Sequence, residues 1–492
     1  MKRESGILYP VSSLPSKFGI GSFSKEAYEF VDFLKESGQS YWQVLPLCQT
    51  GFGDSPYQSV SSFAGNPYFI DLEQLKQQGL LTAEELDLNW GESPAQTDYG
   101  RMYELRLPLL RKAYARAQTG EELMAFCQAE ASWLDDYALF MAVKAHFGGK
   151  SWLDWDEEIR MRKPAAMAAY RQLLEEEIRF QKWLQYLFFT QWQALRAYAA
   201  EKKIAIIGDI PIYVPLDSAD VWSDPDSFQL KRTRRPKVVA GCPPDAFSKN
   251  GQYWGNPIYD WDGMEADGFH WWVRRIGAAA RFFDVIRIDH FRGIESYWSI
   301  PAHHKTARYG QWVKGPGMAL INAIKTAYPD AAFIAEDLGF LTQEVHELVE
   351  NSGFPSMKVL EFAFDSREPS NYLPHVYQEN CVCYTGTHDN PTLRQWFEES
   401  SEDDLDRDFA RKYMNMKEGE DFCDAIIRLG MESRANLFMA QMQDYLRLGA
   451  ESRMNEPGVL KPMNWRWRML PGAATEELAK EIAAWTEAAG RI

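Results

Sequence analysis

Eight short apolar runs, each followed by a loop and then a stretch with helical spacing, constrain this chain more than any other feature. They are GILYPV (6–11), YWQVLP (41–46), IAIIGDIP (204–211), FDVIRIDH (283–290), AFIAED (332–337), SMKVLEF (356–362), CVCYTGTHD (381–389) and ANLFMAQMQD (435–444). Runs this short, rich in Val, Ile, Phe and Tyr, read as strands, and their alternation with helical patterns reads as a parallel sheet. Eight β/α units predict an α/β protein built on a (β/α)8 TIM barrel. Between the runs, SKEAYEFVDFLKESG (24–38) and LTQEVHELVENSG (341–353) read as helices, the second with Thr342 as N-cap and Gly353 as its stop. The segment TEELAKEIAAWTEAAG (475–490) closes the chain as an amphipathic helix.

The second and third runs stand too far apart for one crossover helix. Residues 1–73 therefore read as the first part of the barrel, 74–203 as a mostly helical inserted subdomain, and 204–492 as the rest of the barrel. Within the last part, 212–270 is rich in Pro, Gly, Asp and Trp and reads as loops covering one face. The chain has 46% hydrophobic and 25% charged residues, without the bias of a disordered sequence, so it should fold throughout. A formal charge of −17 argues against nucleic acid and against an anionic membrane surface, and favours a neutral substrate. The basic run KRTRRPK (231–237) is most simply a solvated loop.

Six cysteines show no C-x-x-C pair and no histidine at zinc-ligand spacing, so free thiols in a reducing compartment are expected. Cys381 and Cys383 share one face of a strand and read as core. The N-terminus MKRESGILYP lacks a signal-peptide run, and no window approaches the roughly 18 apolar residues of a membrane span. A cytoplasmic protein is the simplest expectation, as monomer or weak homo-oligomer.

The ionisable residues fall at the strand ends, where barrels of this class carry their catalytic groups. Asp209, Asp289, Glu336 and Asp389 each follow an apolar run. One such charge is explained by a helix cap; four suggest a cleft. Carboxylates facing one another repel, so one ionises while another keeps its proton, and that division suits cleavage of a glycosidic bond. Arg287, two residues before Asp289 and on the same strand face, is placed to hold a nucleophile ionised. In the loop AGCPPDAFSKNGQYWGNP (240–257), Pro243, Pro244, Gly251 and Pro257 restrain a backbone that carries Asp245, Phe247, Tyr253 and Trp254. Such a mixture suits an amphipathic sugar ring, although packing on the barrel rim would also occupy Trp254 and Phe247.

The order and wording of these segments resemble the α-amylase clan and, more closely, the amylomaltases, the 4-α-glucanotransferases also called disproportionating enzymes. The matching stretches are GDSPYQSVSSFAGNPYFID (53–71), GDIPIYV (208–214), AGCPPDAFSKNGQYWGNPIYDW (240–261), RIDHFRG (287–293), AEDLG (335–339) and THDNPT (387–392). The likeness runs from LPSKFGIG (14–21) to NWRWR (464–468). It implies Asp289 as nucleophile, Glu336 as general acid and then base, and Asp389 as a third carboxylate that stabilises the distorted sugar. It further implies that Arg287 and His388 hydrogen-bond the nucleophile or the sugar, that His290 and Asp209 line the site, and that Tyr57 stacks on the sugar. Ser55, Asn256 and Pro257 are read as further substrate contacts beside Trp254, Asp245 and Phe247. Tyr99, in TDYG, resembles a residue of a remote glucan-binding groove; His303 and His304 read as surface residues.

The resemblance implies transfer of α-1,4-glucan segments to the 4-hydroxyl of another glucan or of glucose, with cyclisation of long chains. It implies no cofactor and no metal. A branching or debranching enzyme would need an α-1,6 site and usually carries further β-rich domains. A non-catalytic glucan-binding protein would not need Asp289, Glu336 and Asp389 together.

Overall fold

Period-two alternation inside each strand decides the architecture. The structure, a computed structural model, describes residues 2–118, 120–244, 249–339, 341–365, 370–399 and 405–492. Strands β1 (Glu4–Leu8), β2 (Tyr41–Gln43), β3 (Ala205–Pro211), β4 (Val285–Asp289), β5 (Ala332–Ala335), β6 (Ser356–Val359), β7 (Cys381–Tyr384) and β8 (Leu437–Gln441) fall in the eight runs. They form one eight-stranded sheet in the order β6-β7-β8-β1-β2-β3-β4-β5, every pairing parallel. The Ala335 amide donates to the Pro355 carbonyl at 3.0 Å, which brings the two outermost strands together. The sheet is thus a nearly closed (β/α)8 barrel.

Ile207, Val285, Ile334, Val359, Val382 and Met439 belong to one buried cluster that fills the lower barrel. Ile206, Ile286, Phe333, Cys381, Cys383 and Phe438, one residue out of phase, belong to the larger core shared with the helices. Side chains alternate along a strand, so the residue two positions beyond each inner one also faces inward. That rule puts Asp209 above Ile207, Arg287 and Asp289 above Val285, and Glu336 above Ile334. The barrel interior changes from apolar to ionisable toward its C-terminal mouth.

Helix Lys25–Glu36 forms where the pattern predicts it, and Gly353 ends helix Gln343–Ser352 with a left-handed φ of 71°. Thr342 stands at that helix's N-cap, but no side-chain capping bond forms there. Between β2 and β3 the chain is mainly helical, ending in the long helix Glu175–Glu201. This last helix lies on the barrel: Trp192 donates to the Phe282 carbonyl at 3.1 Å and Tyr198 to Asp32 of helix Lys25–Glu36 at 2.7 Å.

One expectation needs correction. The segment 212–270 is more than loops: its strands Val238–Cys242 and Gln252–Pro257 join Ser296–Pro301 and Gln311–Lys314 in a four-stranded antiparallel sheet on the rim. Its Gly- and Pro-rich composition conceals this, and Val238–Cys242 pairs with Gln252–Pro257 on one side and with Ser296–Pro301, beyond β4, on the other. KRTRRPK makes a tight turn closed by a Leu230–Pro236 bridge, with Lys231, Arg232 and Arg235 exposed. None of the six cysteines is in a disulfide, and among the described residues no helix is long and apolar enough to cross a membrane.

Arg491 closes the fold beneath the barrel. Its buried guanidinium donates to the carbonyls of Glu4 (2.8 Å), Met431 (2.6 Å), Ser433 (3.1 Å) and Ala435 (2.9 Å), tying β1 to the segment that enters β8. Arg491→Ala should destabilise the fold by about 3 kcal/mol, since hydrogen bonds to charged groups contribute roughly 1.5–3 kcal/mol each and buried carbonyls would be left unpaired. Thermal denaturation checks this; an unchanged melting temperature would contradict it.

Candidate active site

The inner face of β4 brings Arg287 to the barrel mouth. Its side chain is buried, and Nη1 donates both to Asp209 Oδ2 at 2.6 Å and to Asp289 Oδ1 at 3.0 Å. Asp209 stands opposite it in the β3–β4 register. The Tyr57 hydroxyl also donates to Asp209 Oδ2, at 2.5 Å, and lies 3.4 Å from His388 Nδ1. One cation therefore joins two strands directly and, through Asp209, reaches the loop that carries Tyr57.

Glu336 follows β5 one rung beyond the Ile288–Ala335 pairing, and its amide donates to the Ile288 carbonyl at 3.1 Å. Its carboxyl accepts from the amides of His290 (2.7 Å) and Leu338 (2.8 Å). His290 immediately follows Asp289 and adopts a left-handed φ of 53°, a strained conformation for a residue with a Cβ. The turn 291–294 holds it there, as the Phe291 amide donates to the Glu336 carbonyl at 3.0 Å. Asp289 and Glu336 thus occupy neighbouring parallel strands, whose axes run about 4.8 Å apart.

Burial pushes the Asp289 carboxyl well up; Arg287 opposes this, while Asp209, Glu336 and Asp389 reinforce it. Glu336 is also raised, chiefly by burial, against the pull of Arg287 and the two amides. Asp289 and Glu336, both raised and close to one guanidinium, therefore titrate as a linked pair rather than independently. Burial pushes His290 down to about 3 and lowers His388 as well, so both rings are neutral at neutral pH. An unfolded His290 would take up a proton near pH 6.5, whereas the folded ring does so only near 3. Its burial therefore costs stability progressively as pH falls through that window.

Above this cluster opens a cleft of about 250 Å3, bordered by Ser55, Tyr57, Trp254, Asn256, Asp289, His290, His388 and Asp389. Tyr57 stacks on His388 with centroids 5.0 Å apart, and Trp254 meets the edge of His290 at 4.8 Å. Asp209 and Arg287 are buried behind that cleft, whereas Glu336 keeps 8% exposure beside His290, which borders it. Asp209 instead borders a separate cavity of about 40 Å3 behind Tyr57. Pro257 is buried at the end of a rim strand opposite Val239, away from the cleft, and Asp245 and Phe247 lie outside the described residues. Tyr99 is buried and donates to the Trp465 carbonyl at 3.2 Å, and the His303 and His304 rings lie 4.2 Å apart, His303 exposed.

Sequence reasoning missed Gln58, Gln252, Asn455, Gly458 and Trp465, which also border the cleft. All five lie outside the barrel strands, four of them in loops, and isolated loop residues carry no periodic signal. The aromatic run NWRWR, which holds Trp465, was the one available hint.

The family model for 4-alpha-glucanotransferase, glycosyl hydrolase family 77, matches residues 9–474. The chain belongs to this family. It is 48% identical to a 4-alpha-glucanotransferase of Clostridium butyricum over 485 residues, 98% of this chain and 99% of that one. A 4-alpha-glucanotransferase of Thermus thermophilus is 44% identical over 506 residues, covering both chains fully. The solved amylomaltase from Streptococcus agalactiae, in complex with acarbose, superposes with a TM-score of 0.96 at 41% identity, with 100% of each chain covered. As a 4-alpha-glucanotransferase the chain is a transferase of α-1,4-glucans, and its barrel is of the amylomaltase type.

Removing Arg287 tests the cluster. Arg287→Ala leaves Asp209 as an uncompensated buried charge, which costs about 3–5 kcal/mol. Denaturant unfolding should show that loss, and glucan transfer should fall with it. A variant of wild-type stability would mean that Asp209 does not depend on the pair.

Proposed function

We propose that the chain transfers α-1,4-glucan segments by retaining double displacement, with Asp289 as nucleophile and Glu336 as acid and then base. The supporting observation is the pairing of Arg287 with Asp289 but not with Glu336, on adjacent strands whose two carboxyl groups are both raised by burial. Retaining enzymes need their two carboxyl groups about 5–5.5 Å apart, and neighbouring strands supply that spacing.

Asp289 attacks the anomeric carbon while Glu336 protonates the departing 4-oxygen, and the reducing-end fragment leaves. The glycosyl ester on Asp289 is then attacked by the 4-hydroxyl of an acceptor glucan or glucose, whose proton passes to Glu336. A new α-1,4 bond forms, and both carboxyl groups return to their starting states. Asp389, half exposed at the cleft, takes the sugar's 2- and 3-hydroxyls and faces the positive charge that develops at the anomeric centre. The neutral His290 and His388 rings donate or accept hydrogen bonds without opposing that charge. Arg287, anchored by Asp209, aims Asp289 and opposes the rise that burial causes in its carboxyl.

Transfer outruns hydrolysis when a sugar hydroxyl is better placed than water at the ester. Tyr57, Trp254 and Trp465 give the cleft apolar faces on which an acceptor ring can stack. An acceptor at the far end of the same bound chain gives a cyclic product. The family name and the acarbose bound to the Streptococcus relative support an α-glucan substrate.

Incubation with maltotriose should give glucose and a ladder of longer maltooligosaccharides with constant total reducing ends; a steady rise in reducing ends would instead mark a hydrolase. Glu336→Gln should bind maltooligosaccharide while transfer drops by about 100-fold or more, the scale of general acid catalysis. Wild-type turnover in that variant would remove Glu336 from the role.

A further inference from the structure

Asp389 lacks the kind of support that holds the other two carboxyl groups. Asp289 has the Arg287 guanidinium and Glu336 has two backbone amides, whereas the bonds that reach the Asp389 carboxylate come from side chains beyond β8 and from its neighbour. Asn455 Nδ2 donates to Asp389 Oδ1 at 2.6 Å, and His388 Nε2 lies 3.4 Å from the same oxygen. Asn455 is itself held: Arg453 Nε donates to the Asn455 carbonyl at 2.8 Å and Arg453 Nη2 to the Asp389 carbonyl at 2.8 Å. The Arg453 fork therefore clamps the main chains of the two loops together, and the Asn455 amide fixes the carboxylate between them.

We propose that Asn455 is a positioning residue for the transfer reaction, orienting Asp389 so that its second oxygen meets the substrate hydroxyls, with Arg453 setting Asn455 in place. This rests on the reading of Asp389 as the third carboxylate. The chemistry of the donor suits that role. A neutral amide aims the carboxylate without cancelling the negative charge that must face a developing oxocarbenium ion. The nearby cation, Arg453, is turned instead to main-chain carbonyl oxygens.

The loop beneath leaves Asn455 as the adjustable element. The Thr387 amide and hydroxyl both donate to Asn390 Oδ1 at 2.9 Å, and Asp444 accepts from the Thr385 hydroxyl at 2.6 Å and from the Leu393 amide at 2.9 Å. These bonds set the path of the Asp389 backbone but do not reach its side chain, whose outer oxygens extend into the cleft at 43% exposure.

Asn455→Ala should lower kcat for maltotriose transfer by about 10- to 100-fold, the value of a hydrogen bond to a charged group, and change KM far less, because bonds to the sugar hydroxyls strengthen in the transition state. Asn455→Asp is isosteric and sets a second carboxyl against Asp389 Oδ1, among His388, Arg453, Asp289, Tyr57 and Glu361. While that pair shares a proton the bond persists and transfer continues. As pH rises and the proton is lost the two groups repel, so the alkaline fall in kcat that loss of the Glu336 proton causes should begin at lower pH in this variant than in the wild type or in Asn455→Ala. Asp389→Ala serves as the control. If it is inactive while both Asn455 variants keep the wild-type kcat and pH profile, the positioning role is overturned and the third carboxylate stands. If Asp389→Ala keeps wild-type activity, the reading of Asp389 falls and the role of Asn455 with it. A kcat loss in Asn455→Ala accompanied by loss of thermal stability, with the alkaline limb of Asn455→Asp at the wild-type pH, would make Asn455 merely structural and would likewise overturn the proposal.

Discussion

The Arg287 guanidinium, buried between Asp209 and Asp289, is the interaction on which the rest of the site depends. An unpaired charge at that depth would cost several kcal/mol, so the cation is tenable only where both carboxylates reach it. Asp209 can reach it because β3 and β4 pair with those two residues opposite each other. A slip of one residue in either strand would turn its inner side chains outward and break the triad. The catalytic cluster and the register of the barrel are thus one constraint, and Tyr57 extends it to the loop beyond β2.

The same alternation produces a graded interior. Aliphatic side chains close the lower barrel, and the positions two residues further on carry the ionisable groups. Water is excluded from below, so charges in the upper layer act at low dielectric strength, and burial there raises the Asp289 and Glu336 carboxyl groups together. The left-handed turn at His290 belongs to this layer, since it is what presents a backbone amide to Glu336. The strain is local, and two hydrogen bonds between the ends of β4 and β5 offset it.

The walls of the cleft have a different origin. Trp254 comes from the rim sheet, Tyr57 from the loop after β2, and Asn455 and Trp465 from the chain beyond β8. None is set by the barrel ladder, and each depends on packing between segments far apart in sequence. A rigid barrel thus holds the reacting groups while separate loops shape what can lie above them, the division of labour usual for this architecture.

Much of this was legible in the sequence because strands buried on both faces leave continuous apolar runs, and a charge inside such a run has few explanations. Asp209, Arg287, Asp289 and Glu336 stood out for that reason, and neighbouring strands bring them together. The eight parallel strands, with Asp289 closing β4 and Glu336 just past β5, were written in the chain's apolar runs, but β3 continues to Pro211 and β7 stops at Tyr384, leaving Asp389 in the loop beyond it. Tertiary structure alone decided that Asp209 lies behind the cleft wall, that Pro257 is packed in a rim strand, that 212–270 contributes two strands to a sheet, and that Asn455 reaches Asp389 from 66 residues away. Strand periodicity is a local property, repeated every two residues, whereas a contact between two loops is fixed only when the barrel has closed and brought their ends to the same mouth.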